Sequence, residues 1–114
     1  MHELGVVFHV MDTCKEVARK NNAERIKAVT LEVGEVSTVV PELLKDCWKW
    51  AVAKDDMMLN CELKVTGIRA ITHCETCGKD YPTTVFEKIC PYCGSDKTYL
   101  LTGQEFLIKD IEVV

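Results

Sequence analysis

The chain opens with a stretch in which apolar residues recur every three or four positions. Over residues 4–20 this spacing predicts an amphipathic helix with one apolar stripe facing a core. A second stretch, which begins near Pro41, has the same period. Pro41 suits its first turn, and Ser37 or Thr38 is a candidate cap. Trp48 lies at the edge of its apolar stripe. The predicted core stripes are Leu4, Val7, Phe8, Met11, Cys14 and Ala18 in the first helix, and Val40, Leu43, Leu44, Cys47, Trp50 and Ala51 in the second.

Three other stretches alternate between apolar and polar residues or are rich in branched and aromatic side chains. Both features are typical of β-strands, and they occur over residues 27–36, 58–65 and 105–114. The chain has 114 residues, which suits one small domain with a short insert. The pattern therefore predicts two helices and three strands, with a segment of different composition between the second and third strands.

Residues 70–103 form that inserted segment, and neither period persists through it. Cysteine, glycine, proline and tyrosine cluster here, and the segment is too short to fold on apolar burial alone. It contains two Cys-x-x-Cys turns, the first at Cys74 and Cys77 and the second at Cys90 and Cys93. Two such turns can place four thiolates around one tetrahedral ion, which predicts a closed structural Zn²⁺ site.

Ligand type alone leaves other uses of these cysteines open. Four thiolates also bind iron in rubredoxin-like sites. Disulfides or a redox pair are less favoured, because a redox Cys-x-x-Cys pair normally occurs once, beside a βαβ pattern. The seven cysteines are an odd number and no signal peptide is evident at the start, so we expect a reducing, cytoplasmic setting. The remaining three, which lie on apolar faces, are expected to be buried as small hydrophobic residues: Cys14, Cys47 and Cys61.

The charge balance argues against nucleic acids and membranes as partners. The 14 basic and 18 acidic residues give a net charge of −4. Within residues 70–103 the balance is −1, from three lysines and four acidic residues, and zinc on four thiolates adds about −2. A zinc ribbon that binds nucleic acid, or regulates another protein, is the alternative hypothesis. Nucleic-acid binding is disfavoured, because a negatively charged module would repel phosphate. No apolar run in the chain approaches the roughly 20 residues of a membrane span.

The chain begins Met1-His2-Glu3, which brings several nitrogen and oxygen ligands close together. The large side chain of His2 favours retention of Met1, whose α-amine is less basic than a lysine and can lose its proton to a metal. The amine, the His2 backbone nitrogen and the His2 imidazole can close adjacent chelate rings, and Glu3 can add a further ligand. Such nitrogen-rich sets favour Ni²⁺ or Cu²⁺. The alternative is an ordinary solvated terminus, because any chain with histidine second carries the same atoms.

Taken together, these features resemble the HypA/HybF family of hydrogenase maturation nickel metallochaperones. The matching features are the Met-His-Glu start, the late pair of Cys-x-x-Cys turns, Gly34-Glu35-x-Ser37 after the first predicted strand, and the closing Gly103-x-Glu105-Phe-x-Ile segment. The resemblance covers the whole chain. It implies an α+β fold of two helices packed on a three-stranded sheet, with an inserted zinc-ribbon-like module that holds its ion through four cysteines.

The resemblance also implies two metal sites with different purposes. A nickel-binding α/β domain (1–69 and 104–114) would carry Ni²⁺ as cargo through Met1, His2 and Glu3. A zinc-binding domain (70–103) would hold structural Zn²⁺ through its four cysteines.

The expected activity is metal delivery and not catalysis. The nickel would go to the large subunit of a [NiFe] hydrogenase, with help from a nickel-handling GTPase, and some relatives also serve urease. A metal-dependent hydrolase is a further alternative, but it would need an open coordination position, which four cysteines around one ion do not leave. An insert joined at two strand ends also permits exchange of elements between chains, and hence a homodimer.

Overall fold

The computed structural model describes residues 3–114 and has three helices and six strands in that range. The predicted α+β class, with two long helices, a three-stranded sheet and an inserted cysteine module, is confirmed; the insert adds a short helix and a second sheet. The strand orders are β2-β1-β6 and β4-β3-β5. The elements are α1 (Glu3–Lys20), β1 (Ile26–Gly34), α2 (Pro41–Val52), β2 (Glu62–Ile68), β3 (Ile71–Cys74), β4 (Asp80–Pro82), α3 (Thr83–Phe86), β5 (Thr98–Thr102) and β6 (Phe106–Val113).

The chain divides into two compact units. The helix–sheet unit comprises the chain up to Glu32 together with Thr38–Thr66 and Leu107–Val114. The cysteine unit comprises Val33–Ser37 and Gly67–Phe106. The predicted assignment of nickel to one domain and zinc to the other stays a prediction, because it concerns which metal each part binds.

The helix–sheet unit takes its buried apolar residues mainly from α1, α2 and β1. The two helices pack against each other. β1 is the central strand of its sheet, and its consecutive residues Ala28 and Val29, whose side chains point to opposite faces, are both buried. β6 runs antiparallel to β1, since Glu24 N–H donates to the carbonyl of Val114 and Val114 N–H donates to that of Arg25. No helix of the described residues is both long and apolar enough to cross a membrane.

The buried face of α2 differs from the prediction. Trp48, expected at the edge, is 2% exposed, and its indole N–H donates to the carbonyl oxygen of Cys61 at 3.0 Å. Trp50, expected in the core, is 50% exposed. Large apolar residues occupy both sides of this helix, so periodicity alone does not select the buried side. The bond to Cys61 makes burial of Trp48 favourable, because a buried indole N–H needs an acceptor. The observed core residues of the helix are Leu44, Trp48, Ala51 and Val52.

The start of α2 also differs from the prediction. Pro41 opens the helix as expected. Val40 occupies the N-cap position in place of Ser37 or Thr38, and its side chain has no atom that can accept a hydrogen bond. Proline at the first helical position needs no backbone partner for its nitrogen, so the helix can begin here without a polar cap.

Two smaller corrections concern α1 and β2. In α1 the buried residues are Val7, Val10, Met11, Cys14 and Ala18. Four of the six predicted stripe residues are therefore buried, whereas Leu4 and Phe8 are exposed and Val10 was missed. β2 begins at Glu62, later than the predicted residue 58. The chain still turns at Asn60, whose φ of 62° lies in the left-handed region that asparagine tolerates.

Candidate metal centre

The four predicted zinc ligands come together in the cysteine unit. Their sulfur atoms all lie within 4.8 Å of one another. The Sγ atoms of Cys74 and Cys93 are 3.6 Å apart, and those of Cys77 and Cys90 are also 3.6 Å apart. Two turns that are distant in sequence therefore present their thiols to one common point.

These separations fit a tetrahedral ion. Zn–S bonds of about 2.3 Å place the sulfurs of a regular tetrahedron about 3.8 Å apart, close to the observed spacing. A disulfide would bring two sulfurs to about 2.05 Å. The donor set therefore fits one closed four-thiolate site and does not fit two disulfides, whereas zinc and iron both accept this arrangement.

Each turn has the same local construction. Gly78 N–H donates to the carbonyl of Cys74 at 2.9 Å, and Gly94 N–H donates to that of Cys90 at 2.8 Å. The two glycines have φ values of 75° and 76°. Residues with a side chain rarely adopt this backbone conformation, so a glycine after each cysteine pair allows the turn to close.

Backbone amides bias the charge of the cluster. The N–H of Cys77, with that of Thr76, points at the Cys74 sulfur and lowers the pKa of that thiol to about 6. The N–H of Ser95 also lowers the pKa of Cys93, but partial desolvation of its sulfur and the neighbouring thiols outweigh it and raise that pKa to about 12. The backbone amides therefore favour the thiolate form of Cys74, and a bound cation favours loss of the other protons.

Two residues beside the cluster have defined partners. Tyr81 is 2% exposed and belongs to one buried group with Cys74 and Cys90, and its hydroxyl donates to the carbonyl of Glu87 at 2.8 Å. The spacing of the cysteines gave no sign of this role for Tyr81. His73, next to Cys74 in the chain, directs Nδ1 to an Asp80 carboxylate oxygen at 2.6 Å.

The predicted nickel ligands remain largely untested by the structure. Met1 and His2 lie outside the described residues, and Glu3 is the half-buried first residue of α1. The nickel site stays a prediction. Of the other cysteines, Cys14 and Cys61 are buried as expected, whereas Cys47 is only half-buried.

Comparisons with known proteins identify the family. Residues 1–113 match a family model described as "Hydrogenase/urease nickel incorporation, metallochaperone, hypA". Relatives named hydrogenase maturation factor HypA include one from Chlorobium phaeobacteroides (strain BS1), 35% identical, and one from Geobacter metallireducens, 31% identical; each alignment covers 99% of both chains. The solution structure of the Ni metallochaperone HypA from Helicobacter pylori shares the fold, with a TM-score of 0.72 at 23% identity over 100% of this chain and 98% of that one. Because the family match spans nearly every residue, the chain belongs to the HypA family.

Proposed function

We propose that this chain carries Ni²⁺ to [NiFe] hydrogenase during maturation of that enzyme. The observation that carries the proposal is the match of residues 1–113 to a family of nickel-incorporating metallochaperones. Its role is that of a maturation factor and not of an enzyme. The proposed ligands are Met1, His2 and Glu3 for the nickel cargo, and Cys74, Cys77, Cys90 and Cys93 for a resident Zn²⁺.

The thiolate cluster supports the assignment of a resident ion. Within the described part of the chain, it is the place where three or more His, Cys, Asp or Glu ligands converge. Zinc bound to four cysteines has no open position and supplies folding energy to the segment around it. Such a closed site suits an ion that stays with the protein.

A cargo ion needs the opposite properties. It must be bound by few ligands and be accessible, so that a recipient can remove it. The amine and imidazole nitrogens of Met1-His2 suit nickel by ligand type, and Glu3 follows directly at the start of α1. This ligand set supports assignment of nickel to the beginning of the chain.

The role implies interaction with hydrogenase and with other maturation factors. More specifically, we propose the hydrogenase large subunit as recipient and a nickel-handling GTPase as accessory partner, in the cytoplasm. We also propose that two copies of the chain can form a homodimer by exchanging structural elements. The family description also names urease, so a urease is the second candidate client.

The nickel site can be tested by titration calorimetry on tag-free, zinc-loaded protein. His2→Ala should abolish specific Ni²⁺ binding, because it removes the imidazole from the chelate. A short extension before Met1 should weaken binding sharply, because it converts the amine into an amide. His9→Ala is the matched control, since His9 is an exposed histidine on α1, and it should bind nickel like the wild type.

Circular dichroism and zinc content separate loss of the site from loss of the fold. Wild-type nickel affinity in His2→Ala would refute the terminal site, and so would equal losses in His2→Ala and His9→Ala. In cells that lack their own family member, the wild type should restore hydrogenase activity. His2→Ala should restore it only when excess nickel is supplied.

A further inference from the structure

The four-cysteine site has a buried side and an exposed side. Cys74 and Cys90 are buried, whereas Cys77 and Cys93 are exposed. A competing ligand must therefore approach from the side of the two exposed sulfurs. Each of these belongs to a different turn, so the contacts that join the two turns limit how far either sulfur can move from the ion.

One such contact joins two hydroxyl groups. Thr76 lies between the two cysteines of the first turn, and Ser95 follows the second turn. Their oxygens, Oγ1 and Oγ, are 2.8 Å apart, which is hydrogen-bond distance. Ser95 Oγ also accepts the N–H of Lys97 at 3.1 Å, which fixes the position of its side chain. The hydroxyl pair thus links the turns across 19 residues of chain.

A second contact crosses between the same turns. The ammonium of Lys79 lies 4.7 Å from the centre of the Tyr92 ring, within the range of a cation–π interaction. Tyr92 sits inside the second turn, next to Cys93. The hydroxyl pair and this cation–π contact therefore both link the two turns.

We propose that Thr76 and Ser95 are positioning residues that set how fast the ion of the four-cysteine site is lost to a competing ligand. Exchange requires one exposed thiolate to leave the ion while the incoming ligand enters. Moving the Cys77 or Cys93 turn outward breaks the hydroxyl pair, so the bond opposes this step. The inference rests on the proposed function in one respect, namely that the site holds a metal.

The test compares hydroxyl-free and hydroxyl-retaining variants of the full, zinc-loaded chain. Thr76→Val keeps the shape of the side chain without its hydroxyl, Ser95→Ala removes the other hydroxyl, and Thr76→Ser retains it. Thr84→Val is the matched control, because Thr84 is an exposed threonine on α3 of the same unit. Zinc transfer to excess pyridylazoresorcinol is followed by absorbance.

Loss of the hydroxyl pair should accelerate zinc transfer by about three- to ten-fold in Thr76→Val. Ser95→Ala should be at least as fast, because it also removes the acceptor of the Lys97 N–H. The double variant should be no faster than Ser95→Ala, since Ser95→Ala already breaks the hydroxyl pair. Thr76→Ser and Thr84→Val should match the wild type. In Co²⁺-loaded protein, the ligand-field bands of Thr76→Val should shift, whereas those of Thr84→Val should not.

The possible failures are distinguishable. A wild-type protein without zinc or iron would overturn the proposed metal site itself. Metal-loaded variants that all release zinc at the wild-type rate would overturn the positioning role alone. Equal acceleration in Thr84→Val, or additive effects in the double variant, would show general loosening of the unit and would also overturn it.

Discussion

The two tryptophans of α2 provide a sharp test of how the helix–sheet unit is held together. They are two residues apart on one helix, yet Trp48 is buried and hydrogen-bonded whereas Trp50 is half exposed. Replacing each with phenylalanine removes an indole N–H and part of a ring in both cases. The structure predicts that Trp48→Phe destabilises the unit strongly and that Trp50→Phe does not.

The magnitude follows from what each side chain contacts. Trp48→Phe leaves the carbonyl of Cys61 without its donor, at a cost of about 1–3 kcal/mol, and leaves a cavity that adds to it. A total of about 2–4 kcal/mol lowers the melting temperature of a small domain by about 8–32 °C. Trp50→Phe keeps an aromatic ring beside Phe8, 6.4 Å away between centroids, and beneath the ammonium of Lys54. Its effect should stay within about 0.5 kcal/mol.

Thermal unfolding followed by far-ultraviolet circular dichroism measures this difference, because α1 and α2 both belong to the helix–sheet unit. Urea unfolding at constant temperature gives an independent free energy. Equal losses of stability in the two variants, or a larger loss in Trp50→Phe, would refute the assignment of Trp48 to the core.

Three further changes test other parts of the chain. Cys74→Ser should abolish stoichiometric zinc binding, measured by metal analysis, and unfold the cysteine unit while most helical dichroism persists. Burial raises the pKa of Asp55, but the Lys15 ammonium at 2.6 Å and two backbone amides outweigh it and lower that pKa. The stabilisation that ionised Asp55 gains from these contacts is fully present above the unfolded pKa of about 3.9, and it is lost as pH falls through the lower folded pKa. Urea unfolding across pH should therefore show wild type losing its advantage over Asp55→Asn under acid. Gly34→Ala would place a methyl group on the carbonyl of Gly103. Both glycines belong to the cysteine unit, so the clash should destabilise that unit and zinc loss on heating should begin at a lower temperature.

Local signals account for the parts of the fold that the sequence predicted well. The helical period of α1 and the paired cysteines each depend on neighbours within a few positions, and the sequence located the helix and the four converging cysteines. Pro41 likewise marked the start of α2. Features of this kind are readable because 3.6-residue periodicity and turn geometry act along the chain itself.

The errors and omissions concern contacts between distant residues. Burial of Trp48 depends on a carbonyl 13 positions away, and the hydroxyl pair of Thr76 and Ser95 spans 19 positions. Gly34 has to be small because Gly103 lies against it. None of these requirements leaves a periodic trace, so a single sequence does not reveal them.

A protein that handles nickel and contains seven cysteines has to keep unwanted thiolates away from its cargo. The deprotonated thiolate, and not the thiol, is the form that binds metals. Burial raises the pKa of Cys14 to about 11. Burial, together with the nearby Cys14 and Glu62, raises that of Cys61 to about 12. Without a metal both thiols therefore stay protonated at neutral pH, and because both side chains are buried they are not accessible to Ni²⁺. Four more cysteines would be withdrawn by the proposed zinc site, which leaves no open position. The proposed nitrogen ligands of Met1 and His2 then meet the cargo without competition from these six thiols, and binding through few ligands allows the ion to be passed on.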